Sequence, residues 1–551
     1  MMPGISLSHR ICLMLAAAWL WFSPVSSSGQ PGLPTYTITG EVLNEVDNRI
    51  FGGFFEKATW NGEIGSDAAI SLQTGEVFPE VKSFMEWMQI PLLRYPGGTA
   101  VDYYPWYYLI DSMPGHHSQR PPNLHYKDLS RPDVVTSDGR MGLHEYMRLC
   151  KALDIEPHLV VNLGDAFYGK LPIQQAAQEL GANLVAYCKD TTGYWAELRA
   201  ANGDPEPFGV KYFQIGNETW LFRGLRGQPF TPARLHHYTN TVEAYARAMK
   251  AVDPSISLII DGVRGIGDKV VQRCGNLIDY QVFHSYSPWG IYRIKKNGEE
   301  VPATAVTAWE IWQALATAPR IDPSSGQSIL EDWVLDHAAK PVALTEWNFN
   351  CWFAGDAKPA QPENNYLAYG IGAASYVHAI LRRSDRIRIA NQSMLAGTGW
   401  GITGIRIDTT EQLRPHMFPS AMVVGLYSRQ HGKQLMELES ENMIFYEQPL
   451  KLTNIQPSER VAEQDVVVTA DDAHYYLHVL SRSFAEERKI QFVFPEQVAS
   501  LYQHWLLSDR VEGSQSPYAA IEKIQGSGAG KEVTVQVTPR SVSVFKFKRR
   551  P

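Results

Sequence analysis

Lys-Tyr-Phe-Gln-Ile-Gly-Asn-Glu at 211–218 and Pro-Val-Ala-Leu-Thr-Glu-Trp-Asn at 341–348 share one design: an apolar run that ends in a glutamate. A carboxylate at the buried end of a strand is costly unless something satisfies or uses it. Read outward, the same kind of run recurs at Phe51–Phe55, Pro91–Tyr95, Pro157–Leu163, Ser257–Asp261, Asp279–His284 and Ile387–Met394, making eight. These runs are continuous rather than alternating, as strands covered on both faces should be. Amphipathic stretches separate them, most clearly Val81–Met88, Leu143–Leu153, Ile173–Tyr187, Pro232–Ala251 and Tyr366–Arg383. Thr231-Pro232 offers an N-cap with proline in the first turn, and Asp253-Pro254 closes that helix. Strands alternating with helical crossovers predict an α/β fold, a (β/α)8 TIM barrel, with a doubly wound open sheet as runner-up.

Beyond about His431 the helical pattern fades. Asp465–Thr469, Tyr475–Leu480, Lys489–Phe494, Glu532–Val537 and Val542–Phe547 read as strands between turn-forming breakers. They predict a C-terminal antiparallel β-sandwich of jelly-roll type, joined by the early strand Thr35–Val42. The expected division is a signal peptide at 1–29, N-terminal strand at 30–48, catalytic barrel at 49–430 and β-sandwich at 431–551.

The leader is read from His9-Arg10, the apolar run Ile11–Phe22, too short to span a bilayer, and the small residues before Gly29. It predicts export, to a periplasm or the exterior, with no membrane association after cleavage. A net charge of −8 argues against a nucleic-acid partner or an anionic membrane surface. Of the cysteines, Cys150, Cys188, Cys274 and Cys351 would remain, without the close spacing of a metal site, and they read as buried free thiols. There is no phosphate loop, dinucleotide fingerprint or metal-ligand cluster, so no cofactor and no metal are expected. The serine-hydrolase elbow is missing too. The 15 tryptophans and 26 tyrosines lean toward a carbohydrate partner, because aromatic faces stack on sugars.

In a barrel the carboxyl ends of the strands converge on one mouth. Here those ends carry Glu56; Arg94, Gly97, Gly98 and Thr99; Asn162 and Asp165; Asn217 and Glu218; His284 and Tyr286; Glu346 and Trp347; and Asn391 and Gln392. Polar groups with two carboxylates on separate strands suit an acid and a nucleophile across one sugar bond.

At this point the chain resembles glycoside hydrolase family 51, the α-L-arabinofuranosidases of clan A. The matching pieces are Phe-Gly-Gly-Phe-Phe-Glu at 51–56, Arg-Tyr-Pro-Gly-Gly at 94–98, Glu-Pro-His-Leu-Val-Val-Asn-Leu-Gly at 156–164 and Gln-Ile-Gly-Asn-Glu at 214–218. Phe-His-Ser-Tyr at 283–286, Thr-Glu-Trp-Asn at 345–348 and Ile-Ala-Asn-Gln at 389–392 continue the series. The resemblance implies a retaining exo-acting arabinofuranosidase that trims side chains of plant-type polysaccharides. Glu218 would be the acid/base, Glu346 the nucleophile, and Asn217 a ligand of the sugar 2-hydroxyl. Glu56, Thr99 and Gln392 would hold other hydroxyls, and Tyr286 would orient the nucleophile. Trp347 is either pocket wall or packing, and His284 either a pocket residue or a satisfied core histidine. Arg94 is expected to pair with a carboxylate. Relatives are often oligomeric, so a homo-oligomer is admitted. Two departures stand out: Thr99 where the family commonly has Asn, and Lys57 where it commonly has His. They keep alternatives open on the same fold, a β-xylosidase or endo-β-glucanase, and in another class a non-catalytic carbohydrate-binding barrel. The segment Tyr103–Arg131 is expected to loop over the mouth.

Overall fold

The strand-like runs become strands β2 (Gly52–Phe54), β3 (Leu92–Tyr95), β4 (Glu156–Val161), β5 (Tyr212–Ile215), β6 (Ser257–Asp261), β7 (Tyr280–Tyr286), β8 (Val342–Asn348) and β9 (Ile387–Gln392), following β1 (Thr35–Glu45). The computed structural model describes residues 32–550 apart from 58–62, 122–123, 128–133, 138, 223–224, 226–230, 263–264, 331, 351, 354–365, 409, 411 and 510–517. The expected leader and Cys351 lie outside the described residues. Strands β2 to β9 pair in parallel and close, β9 against β2, into the eight-membered barrel read from the sequence.

Successive side chains explain the continuous apolar runs. Leu92, Tyr212 and Ala343 fill the barrel interior with Ile259, Val282 and Ile389. Their neighbours Leu93, Phe213 and Leu344 face the surrounding helices. Both faces of each strand are therefore buried. Helix α1 (Pro232–Val252) starts where the sequence places it: Thr231 Oγ1 accepts the Arg234 N–H at 3.3 Å and Pro232 fills the first turn. Helices α2 (Leu367–Arg382) and α3 (Pro419–Arg429) are almost wholly buried, because they lie between the barrel and the C-terminal sheet.

That sheet holds β10 (Gln434–Glu441), β11 (Gln464–Ala470), β12 (His474–Ser481), β13 (Arg488–Asp509), β14 (Ala519–Ser527), β15 (Gly530–Val537) and β16 (Ser541–Arg550), in the order β1-β10-β11-β12-β16-β13-β14. The long strand β13 serves two layers. Its first half pairs with β15 and, in parallel, with β1; its second half pairs with β16 and β14. The two layers enclose a core of their own that includes Tyr36, Val466, Leu477, Phe492, Val535 and Phe547.

Asp465 on β11 is buried where sheet meets barrel. It accepts hydrogen bonds from His378 Nδ1 (3.0 Å), Arg482 Nη2 (3.0 Å) and the Ser328 N–H (2.7 Å), and it pairs with Arg382. Burial alone would raise its carboxyl; the two guanidinium charges win and hold it well below the usual range.

Candidate active site

Glu218 follows β5 through Gly216, at φ +75°, and itself takes a left-handed backbone at φ +46°. A non-glycine residue there carries strain that its surroundings must hold. Two buried aspartates hold it. Asp102 Oδ2 accepts the Asn217 N–H at 3.0 Å, just before Glu218, and Asp261 Oδ2 accepts the Thr219 N–H at 2.6 Å, just after it. Asp102 Oδ1 also takes the N–H groups of Leu163 (2.7 Å) and Gly164 (3.1 Å), tying the end of β4 to the end of β5. Burial pushes Asp102 up to about 7 and Asp261 up to about 6, against the donors that hold them down. The sequence reading missed both aspartates.

Glu346 sits on β8 with a side chain only 9% exposed, and each oxygen has its own partner. Oε1 accepts from Arg94 Nη1 at 3.0 Å, and Oε2 accepts the Tyr286 hydroxyl at 2.9 Å. The Ser393 hydroxyl lies 2.7 Å from the Tyr286 oxygen and donates to it, so the tyrosine ring is fixed from two sides. Arg94 is fully buried: Nη2 reaches Asn217 Oδ1 at 2.6 Å, Nε reaches Gln214 Oε1 at 3.0 Å, and the guanidinium lies 4.3 Å from the Phe54 ring centre. One cation thus orients the expected nucleophile and the expected 2-hydroxyl ligand together.

His284 joins the two glutamates. Its Nδ1 lies 3.1 Å from Glu218 Oε1 and 3.5 Å from Glu346 Oε2, and its Nε2 lies 2.9 Å from Thr345 Oγ1. One oxygen of each glutamate and the imidazole nitrogen all fall within 4.8 Å of one another. Three such groups also resemble a cation site, but Arg94 already supplies positive charge to Glu346. His284 is a buried, satisfied histidine, and one of the groups that satisfies it is Glu218.

The other expected residues separate into groups. Gln392 is buried, and neither its Oε1 nor its Nε2 has a protein partner among the described residues, which suits hydroxyls to come. Glu56 projects into the same charge field: burial first, then the charge of Glu346, pushes it up to about 8, with Arg94 opposing. Gly97 and Gly98 serve the protein before any sugar. A Cβ on Gly97 would lie 1.7 Å from the Phe54 ring, and one on Gly98 1.8 Å from Glu56 Oε1. Thr99 is half-buried at the start of the short turn Thr99–Tyr103, and no hydrogen bond of its side chain to a described residue is formed. Trp347 is 0% exposed and stacks on Tyr376 with ring centres 5.4 Å apart, which places it as packing beneath the site.

Several residues at the strand ends are held away from any sugar. Lys57 is fully buried in an ion pair with Asp67 (2.5 Å) and donates to Met141 O (2.9 Å). Asn162 Nδ2 donates to Asp165 Oδ2 and to Tyr104 O, and Asn391 Nδ2 donates to Gly53 O. In the segment expected over the mouth, Trp106 is buried against Tyr187 and Trp195, facing the helices that follow β4. Cys150, Cys188 and Cys274 are free and buried.

A family model described as "Alpha-L-arabinofuranosidase 1 domain" matches residues 84–302, the stretch that contains Arg94, Glu218 and Tyr286. Alpha-L-arabinofuranosidase C of Emericella nidulans is 24% identical over 392 residues, covering 67% of this chain and 69% of that protein. An intracellular exo-alpha-(1->5)-L-arabinofuranosidase 1 of Bacillus subtilis is 29% identical over 261 residues, 44% of this chain and 46% of its own length. Among solved structures, an alpha-L-arabinofuranosidase from Thermotoga maritima in complex with arabinose shares the fold, with a TM-score of 0.65 at 20% identity over 94% of this chain and all of that one. The matched domain and relatives, on a barrel that carries both glutamates at its mouth, make this chain a glycoside hydrolase similar to the family 51 α-L-arabinofuranosidases.

Proposed function

We propose that the protein is a retaining, exo-acting α-L-arabinofuranosidase with Glu346 as nucleophile and Glu218 as acid/base. The observation that carries this is the approach of the two glutamates: an oxygen of each lies within 4.8 Å of the other, across a site walled by Asn217, Tyr286 and Gln392. Carboxyls about 5–5.5 Å apart leave no room for a water beneath the sugar, which is the retaining arrangement; inverting pairs stand about 6.5–9.5 Å apart.

A Glu346 oxygen attacks the anomeric carbon and forms a glycosyl ester. The exocyclic C–O bond breaks, and the departing oxygen takes the proton carried by Glu218. A water then gives its proton to Glu218 as its oxygen attacks the same carbon, the ester bond breaks, and both carboxyls return to their starting states. His284 suits both halves. A proton on its Nδ1 is donated to Glu218 Oε1, which leaves the other carboxyl oxygen to carry the proton that the departing group takes and the water returns. The polar ligands suit a sugar, and the arabinofuranosidase relatives support an arabinose-bearing oligo- or polysaccharide as substrate. The basic and apolar start of the chain, residues 1–29, supports export of the mature enzyme.

Hydrolysis of a panel of aryl glycosides, with the first-formed anomer followed by NMR, tests the reading. The expected outcome is turnover of the α-L-arabinofuranoside with retention, in preference to the β-xyloside and β-glucoside. Glu346→Ala should nearly abolish it, while Glu218→Ala should spare activated aryl leaving groups far more than sugars. Inversion of the anomer, or wild-type rates in both variants, refutes the assignment.

A further inference from the structure

Tyr286, which holds the expected nucleophile, also carries an exposed indole. Trp289 stands edge-on to the Tyr286 ring, with centres 5.3 Å apart, and is 51% exposed. A lone exposed aromatic is ordinary on a protein surface. This one differs in how firmly its backbone is fixed. Asn454 Oδ1 accepts the Trp289 N–H at 3.2 Å, and Asn454 Nδ2 donates to Tyr286 O at 3.0 Å. Thr453 Oγ1 donates to Gly290 O, and Gly290–Ile291 pairs in parallel with Trp352–Phe353, which follows the nucleophile strand β8. Asn454 and Thr453 come from a turn beyond α3, after the last barrel strand, reaching back across the sequence to hold this loop. A rigid, half-exposed indole has prepaid the entropy of ordering a binding surface.

We propose that Trp289 is the platform for the leaving-group sugar, and that the 453–454 turn sets its position. The argument rests on the exo-acting reading above: the bound arabinose would occupy the polar site among Asn217, Glu56 and Gln392, so the remainder of the substrate lies outside Tyr286, where Trp289 is. The ligand is the apolar C–H face of a pentose or hexose, and the contact is made by stacking rather than by hydrogen bonds.

The test compares an α-1,5-linked arabinobiose with α-L-arabinofuranosyl fluoride, whose leaving group has no surface to stack. Trp289→Ala should lower kcat/KM on the disaccharide about tenfold, mainly through KM, and lower that on the fluoride no more than about twofold. Trp289→Phe should recover most of the loss, and Asn454→Ala should show the same leaving-group dependence in weaker form. Equal losses on both substrates, or none on the disaccharide, overturn the platform while leaving the arabinofuranosidase reading intact. A wild-type enzyme inert toward both substrates overturns that reading, and the platform with it.

Discussion

Arg94→Lys keeps a positive charge at the centre of the site and removes the fork. The guanidinium makes three hydrogen bonds from three different nitrogens, to Gln214 Oε1, Glu346 Oε1 and Asn217 Oδ1, at 3.0, 3.0 and 2.6 Å. A lysine ammonium is a point donor on a flexible stem, and it cannot span three acceptors held by β5 and β8. With its charge drawn to Glu346, the bonds to Asn217 and Gln214 are lost. At about 1.5 kcal/mol for each bond from a charged donor, the loss is about 3 kcal/mol. Expressed fully in the transition state, that is about a hundredfold in rate. The loss belongs in kcat, because Asn217 is expected to tighten on the 2-hydroxyl only as charge develops on the sugar.

Arg94→Met goes further and leaves Glu346 buried without its cation, which costs about 3–5 kcal/mol of stability. The assay is steady-state hydrolysis of an aryl α-L-arabinofuranoside, with thermal denaturation run in parallel. The lysine variant should stay folded and lose kcat; the methionine variant should lose both activity and thermal stability. Added guanidinium should restore part of the activity of Arg94→Ala and leave wild type unaffected. A lysine variant within about threefold of wild type would show that positive charge, not the geometry of the fork, is all the site requires, and the reasoning would fail.

Three further outcomes follow from the same contacts. Glu56 has a folded-state value of about 8 against an ordinary 4.5, so its contribution to stability is present below about 4.5 and is lost as pH rises through 8; Glu56→Gln should flatten thermal stability across that window and remove any fall in kcat/KM due to a third negative charge above pH 8, and identical pH profiles would count against it. Gly98→Ala forces a Cβ to within 1.8 Å of Glu56 Oε1 at a residue with φ +40°, so kcat/KM should fall at least about tenfold through displacement of Glu56, and an unaltered rate would show that Glu56 does not touch substrate. Asp465→Asn leaves Arg482 and Arg382 without their carboxylate partner between barrel and sheet, at a cost of about 3–5 kcal/mol; calorimetry should show a lowered midpoint, while kcat well below that midpoint stays near wild type.

What the sequence made legible and what it hid follow from the range of the interactions. The barrel strands were readable because their signal is local: a strand buried on both faces is largely apolar, and β5 and β8 are buried at every position. Glu218 and Glu346 stood out against that background because a carboxylate there is costly. Asp261 ends β6 in the same manner and carries the same cost, but no piece of the family pattern ends there. Asp102 carries no such signal. It lies in a short turn, and its role exists only because β4 and β5 bring three N–H groups to it from distant points in the chain.

Lys57 shows the converse error of reading a family position as a pocket position. It directly follows Glu56 where the chain still runs beside the end of β3, with Phe55 N–H on Arg94 O and Lys57 N–H on Pro96 O, and in such a run neighbouring side chains point to opposite sides. With Glu56 turned into the site, Lys57 must turn away, and it does, onto Asp67. Its charge is therefore neutralised by Asp67, and of the two departures from the family pattern only Thr99, half-buried and expected at the pocket, is left to alter what the pocket holds. A change of sugar specificity on this scaffold should accordingly be sought by Thr99→Asn, which returns an amide to the mouth, and not by exchange of Lys57. If Thr99→Asn left the ratio of arabinofuranoside to xyloside hydrolysis unmoved while a substitution at Lys57 shifted it, the alternation argument would be wrong.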